Sequence, residues 1–223
     1  MTGKLTGEKL EKEMLRLEEM LTYERQYGWA ADICGIDEAG RGPLAGPVVA
    51  GAVILPKDCK ILYLNDSKKL SEKRREELFL EIQEKAVSFA VGIVEPKEID
   101  RINILQATYA AMRQAVGKLS RTPQVLLNDA VEIPGLPAEM KQVKIIRGDA
   151  KSLSIAAASV LAKVTRDHLM MDYDLNYPQY GFAKHKGYGT AAHIQALKNE
   201  GPCPIHRKTF IGKFVKTEDR DEK

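Results

Sequence analysis

The chain has 223 residues, 44% of them hydrophobic and 29% charged, a balance that fits one substantial globular domain with a small appendage. It contains no run of about 18 apolar residues, so no transmembrane helix is expected, and its opening, MTGKLTGEKLEKEML, lacks the apolar centre of a secretory signal. The net charge of +3 permits nucleic-acid binding without arguing for it, while three scattered cysteines, Cys34, Cys59 and Cys203, argue against a disulfide framework or zinc knuckle and fit a reducing cytoplasm.

Residues 8–27 read as an amphipathic helix. Leu10, Met14, Leu17 and Leu21 recur at helical spacing on one face, and Gly28 offers a stop. This helix is expected to pack on the domain as an N-terminal extension over residues 1–30. From Ile33 the stretch ICGIDEAGRGPLAGPVVAGAVIL is apolar, β-branched and broken by Gly and Pro, which predicts two strands with a tight connection. Ser71 can cap a charged helix that runs to about Lys85, with Glu72 in its first turn. Residues 87–94 read as a strand ended by Pro96.

A single long helix is expected next, with an apolar stripe of Ile102, Leu105, Tyr109, Met112, Val116 and Leu119, ended by Pro123. PQVLLNDA and VKIIRGDAKS each predict a short strand. Ser152 or Ser154 can cap the following helix, SIAAASVLAKVTRDHLM, whose Ala156, Ala157 and Ala158 would let it lie close against a sheet. Helices alone follow. The pattern is that of an α/β layered domain, a mixed sheet flanked by helices with a helical C-terminal segment, over residues 31–215. The charged tail, residues 216–223, is expected to be disordered.

Four carboxylates stand apart from those on charged helix faces. Asp37 and Glu38 end an apolar strand, Asp129 ends the strand through Val125, and Asp149 is expected to end the strand through Ile146. The C-terminal ends of strands are where open α/β sheets form ligand crevices. Carboxylates gathered there repel one another unless protonated or bound to cations, and hard oxygen ligands suit magnesium or manganese. The plainer reading is that strand-end acids are turn formers or helix caps. Adjacent strand residues face opposite ways, so Asp37 and Glu38 would converge only if the chain bends at the pair. His168, His185, His193 and His206 have no ligand-like spacing and are expected to be solvated or structural hydrogen-bonders.

The segment Asp37-Glu38-Ala39-Gly40-Arg41-Gly42-Pro43 resembles the signature of type 2 ribonuclease H. The resemblance continues in order through DSKKL, LLNDA, GDAKSLSIAAASVLAKVTRD, YGFAKHKGYGT and HRKTF, covering about residues 33–210. It implies a ribonuclease H-like fold and a magnesium- or manganese-dependent endonuclease. Such an enzyme hydrolyses the RNA strand of RNA–DNA hybrids and incises 5′ to ribonucleotides embedded in duplex DNA.

By the same resemblance Asp37, Glu38 and Asp129 would be the principal metal ligands and Asp149 the fourth, with Asp167 the competing candidate. Gly40, Arg41 and Gly42 would read the ribose 2′-hydroxyl through the backbone, and Tyr188 would stack on the next sugar. Lys68, Lys69, Lys151, Lys184 and Lys186 could contact phosphates. The implied partners are RNA–DNA hybrid and ribonucleotide-containing duplex DNA, with no membrane, no identified protein partner and a monomeric state. Asn128 departs from the expected apolar residue, which predicts a less buried strand end there. Type 3 ribonuclease H shares the fold and acids but resembles a longer chain with an N-terminal sheet domain. A non-catalytic nucleic-acid-binding module would not need all four acids.

Overall fold

A computed structural model describes residues 6–27 and 32–215. Gly28, the expected helix stop, and the tail 216–223 lie outside the described residues. The N-terminal segment forms two helices rather than one, α1 (Glu8–Met20) and α2 (Thr22–Gln26). The break falls at Leu21, whose backbone leaves the helical region at ψ 2° while its side chain enters the core beside Leu17 and Met20. The turn redirects α2, so that Glu24 is buried against the start of a distant helix.

The chain then forms β1 (Ile33–Ala39), β2 (Val48–Ile54), α3 (Glu72–Lys85) and β3 (Ser88–Val94). Ser71 caps α3 as expected, its Oγ accepting from the Arg74 amide. The predicted long helix is two, α4 (Pro96–Ile102) and α5 (Ile104–Gly117). Asn103 separates them: its φ of 67° is incompatible with a continuous helix, and its Oδ1 caps the Leu105 and Gln106 amides. The break rotates the buried face onto Ala107, Ala111, Met112, Ala115 and Val116, leaving Leu105 exposed.

β4 (Val125–Asp129) and β5 (Lys141–Ile145) complete the sheet. α6 (Leu153–Asn176), α7 (Phe182–His185), α8 (Ala191–Glu200) and α9 (Lys208–Ile211) follow. β5 stops one residue before Ile146, which is exposed. Asp149 therefore does not end a strand. It sits in a 3-10 turn (Gly148–Ala150) entered through Arg147 in the left-handed region.

The sheet order is β3-β2-β1-β4-β5, with β1–β2 and β2–β3 antiparallel and β1–β4 and β4–β5 parallel. This is the mixed sheet flanked by helices that the alternating pattern predicted. One face packs Cys34, Ile36 and Leu126 against α5, and the other packs Ile33, Leu127 and Ile155 of α6. The alanines of α6 are buried, as predicted, and the approach is close: a Cβ on Gly35 would stand 2.1 Å from the Ser154 carbonyl carbon. Ser152 supplies the α6 cap. Glu24 reinforces it from α2, its Oε1 accepting from Ser152 Oγ at 2.7 Å and the Ser154 amide at 3.0 Å.

Candidate active site

Ile36 pairs with Asn128 in the last register pair of the parallel β1–β4 ladder, so the next residues, Asp37 and Asp129, stand side by side where the two strands part. By the strand period of two, both project on the face that carries α6, while Glu38 projects on the other. β1 continues through Ala39 without the bend expected at the pair. Glu38 instead lies 3.3 Å from Arg41. Asp129 Oδ1 accepts from the Gly148 amide at 2.9 Å, which ties the Asp149 turn to the end of β4.

The electrostatics follow from this crowding. Burial pushes the Asp37 carboxyl well above the usual carboxylate range. The Glu38 charge adds to that, the Glu38 amide opposes it, and Asp129 and Asp149 raise it further. Asp149 is also raised, first by burial, then by Asp66 and Asp129, with Lys68 opposing and a side-chain hydrogen bond to Asp66 adding to the rise. Among the described residues no three His, Cys, Asp or Glu side chains already stand as a preformed cage for one ion. The donor set nonetheless fits a hard divalent cation. Its members are carboxylates that repel one another at one end of the sheet, the condition a cation relieves.

Asp66 is the member that sequence reasoning missed. Ser67 is buried against Ser159 of α6, hydroxyl to hydroxyl at 2.7 Å, which pins the 3-10 turn Ser67–Lys69 beside the carboxylates. Asp66 Oδ1 accepts from the Lys68 amide at 2.9 Å. Burial works to lower Lys68, but Asp37, Asp66, Asp149 and Glu38 outweigh it and hold the ammonium's pKa up. In the sequence the motif DSKKL stands out for the family resemblance and for Lys68 and Lys69. Its acid, in a loop following β2, was the available signal.

Asp167 is engaged elsewhere. It accepts from Lys163 at 2.6 Å through both oxygens and lies 3.8 Å from Arg75. Asn128 is fully buried, contrary to the expectation of a less buried strand end. Its Nδ2 donates to Gln142 Oε1 at 2.9 Å and to the Val131 carbonyl, which satisfies the donor group, while its Oδ1 is buried without a hydrogen-bond partner among the described residues.

Gly40 turns the chain at φ 96°, a conformation suited to glycine, one residue beyond the acidic pair, after Ala39. Arg41 and Gly42 are exposed. Tyr188 arrives from the α7–α8 connection, half-exposed, with its ring about one contact distance (3.9 Å) from a Cβ built on Gly42. The Leu44 amide donates to the Gly187 carbonyl at 2.8 Å and holds the two loops together. Lys186 is turned inward, donating to the Ala183 carbonyl and lying 4.0 Å from Glu72.

The histidines are structural rather than solvated, and three of them cluster. His185 stacks on His193 at 4.4 Å, and His193 Nε2 lies 3.0 Å from His206 Nε2. His168 pairs with Glu76. Among the described residues no helix is long and apolar enough to cross a membrane.

The family model for Ribonuclease HII matches residues 34–213. A Ribonuclease HII from Lachnoclostridium phytofermentans is 61% identical over 92% of this chain and 80% of its own length. The ribonuclease H2 of Pyrococcus horikoshii superposes with a TM-score of 0.68 at 28% identity, covering 83% of this chain and 99% of that one. Bst-RNase HIII, solved in complex with Mn2+, shares the fold at a TM-score of 0.58 and 16% identity, over 75% of this chain and 60% of that one. The strand order, the acids at the ends of β1 and β4 and these matches converge: the chain belongs to the ribonuclease HII family and is a ribonuclease H, an enzyme of RNA–DNA hybrids.

Proposed function

We propose that the chain is a divalent-metal-dependent endonuclease that also incises 5′ to single ribonucleotides in duplex DNA. Asp37, Glu38, Asp129 and Asp149 would form its metal-binding and catalytic set. The observation that carries this reading is the parallel pairing of β1 with β4. It delivers Asp37 and Asp129 side by side on one face, and Asp129 in turn holds the turn that bears Asp149.

Water attacks the phosphorus on the 5′ side of the ribonucleotide and the bond to the 3′-oxygen of the preceding nucleotide breaks, which leaves a 3′-hydroxyl on that nucleotide and a 5′-phosphate on the ribonucleotide. When bound, magnesium or manganese, as a pair of ions, supplies charge neutralisation and water activation. The chain's own residues do the rest. The acids fix where cations sit. Gly40, Arg41 and Gly42 present backbone groups to the ribose 2′-hydroxyl, where a side chain would obstruct approach. Tyr188 stacks on the neighbouring deoxyribose. Lys68, Lys69, Lys151 and Lys184 supply phosphate contacts, which set affinity rather than sequence preference.

The test is a gel assay on duplex DNA carrying one ribonucleotide, with magnesium, with manganese and with chelator. Cleavage 5′ to the ribonucleotide only when metal is present is expected. Cleavage of continuous hybrid but not of this duplex would remove the single-ribonucleotide activity, and metal-independent cleavage would remove the metal assignment.

A further inference from the structure

The loop at residues 40–47 and the loop bearing Tyr188 rest on two arginines that are almost fully buried, Arg166 and Arg207. Neither forms an ion pair among the described residues. Arg207 donates to the carbonyls of Gly40 at 2.6 Å, Arg41 at 2.9 Å, Gly46 at 2.8 Å and Pro47 at 3.2 Å. Arg166 donates to Pro47 at 2.9 Å and Ala45 at 3.0 Å on one loop, and to Lys186 at 2.9 Å on the other. Burial lowers their pKa values to about 10 and about 9 respectively, still above neutral, so both stay charged. Burying a cation against carbonyls alone is a poor route to stability, because an apolar side chain would avoid the desolvation cost. A planar fork of five donors is, however, a good way to fix several carbonyls in one geometry.

That geometry has a consequence at the surface. In a trans peptide the carbonyl of one residue and the amide of the next point opposite ways. With the Gly40 and Arg41 carbonyls drawn inward to Arg207, the Arg41 and Gly42 amides are turned outward. The close packing leaves no slack, since a Cβ on Gly40 would stand 2.1 Å from Arg166 Nε.

The residue before Arg207 holds the other loop. His206 Nδ1 accepts from the Cys203 amide at 3.0 Å, so the proton of the neutral ring belongs on Nε2, where it is donated to His193 Nε2. His193 then carries its proton on Nδ1 and donates to the Tyr188 carbonyl at 2.9 Å. Backbone bonds close the frame, from the Gly46 amide to Ile205 and from the Arg207 amide to Leu44.

We propose that Arg166, His206 and Arg207 act as one strut that fixes the outward amides of the Gly40-Arg41-Gly42 turn relative to Tyr188, making them positioning residues for recognition of the 2′-hydroxyl. The inference rests on the reading of that turn as the ribose reader, and the two are separable by experiment. Affinity is measured in chelator for two duplexes that differ by one 2′-hydroxyl. Wild type prefers the ribonucleotide duplex about tenfold, the ratio expected from one net hydrogen bond to the 2′-hydroxyl. Arg207→Lys keeps a cation but not the fork. It shrinks that preference at least about threefold while leaving affinity for the all-DNA duplex unchanged.

A wild type without preference overturns the ribose-reading turn and the strut with it. A folded Arg207→Lys that keeps the wild-type preference overturns the strut alone. If Arg207→Lys does not melt cooperatively, His206→Gln is judged by the same criterion. Amide exchange of the wild type needs no variant: residues 40–47 and 185–190 open as one unit, and independent opening of the two loops overturns the coupling.

Discussion

Two neighbouring regions handle buried charge in opposite ways. At the ends of β1 and β4, Asp37, Asp129, Asp149 and Asp66 crowd together, and both resolved shifts run upward because the anions repel and are shielded from water. A few residues further on, Arg166 and Arg207 are buried more completely, yet their donors are distributed over a set of backbone carbonyls. Charge left uncompensated makes a place for a ligand of opposite sign. Charge satisfied by backbone sets a shape and asks for no ligand.

The largest expected effect lies in the anionic region. Asp37→Asn and Asp129→Asn should each lower the cleavage rate by roughly 10²-fold or more while hybrid binding stays within a few-fold, since phosphate contacts carry affinity. Near wild-type turnover in either variant would reduce these acids to turn formers. Asp149 and Asp167 separate next. Asp149→Asn should cripple turnover with little change in melting. Asp167→Asn should remain active but lose about 2–3 kcal/mol, because Lys163 and Arg75 are left facing a neutral partner in a largely buried site. An inactive, well-folded Asp167→Asn would exchange their roles.

Tyr188→Ala should lose activity on a single embedded ribonucleotide by about tenfold, more than it loses substrate affinity. Unchanged turnover on that duplex would make Tyr188 a packing residue.

The histidine cluster beneath it predicts a pH signature. Burial lowers His206 to about 4, with His193 adding to the effect, and burial also lowers His193. The unfolded chain, with a histidine pKa near 6.5, therefore binds protons first. The stabilisation is complete above pH 6.5 and is lost as pH falls through about 4. His206→Asn should flatten the decline of Tm between those values, and an identical slope in the variant would assign the decline elsewhere.

The smallest effect concerns Asp129 without metal. Asp129→Asn keeps an oxygen for the Gly148 amide but removes a charge, so in chelator at low salt it should melt about 2–4 °C above wild type. Asp129→Ala, which loses the acceptor, should not. Magnesium should raise the wild type more than Asp129→Asn. A lower melting temperature for Asp129→Asn in chelator would show that its hydrogen bond outweighs the repulsion.

Much of the fold was legible. The alternation of strands and helices, the Ser71 and Ser152 caps and the alanine face of α6 depend on local chemistry, and each is observed. The misread places have two causes. The break at Asn103 is local capping by its own side chain, whereas the break at Leu21, and the turn that carries Asp149 past the end of β5, are set by what each segment must reach across the fold. Leu21 turns Glu24 toward the cap of α6, a residue 128 positions away. Asn128 is buried at a strand end where its polarity predicts exposure, because Gln142 on the neighbouring strand accepts from its Nδ2.

By itself the sequence determined the layered α/β plan, the strand-end placement of Asp129, and the ordered motifs that mark the family, while β1 runs two residues past Asp37 to Ala39. Those follow from side-chain period, capping and turn chemistry acting over a few residues. Only the tertiary structure decided that Asp66 and Lys68 join the acids. Only it decided that Arg207 in HRKTF lies beneath Gly40 in DEAGRG. The physical reason is distance along the chain. Crowding of charges and sharing of buried donors depend on contacts between segments far apart in the chain, up to 167 positions for Arg207 and Gly40, which no local pattern encodes.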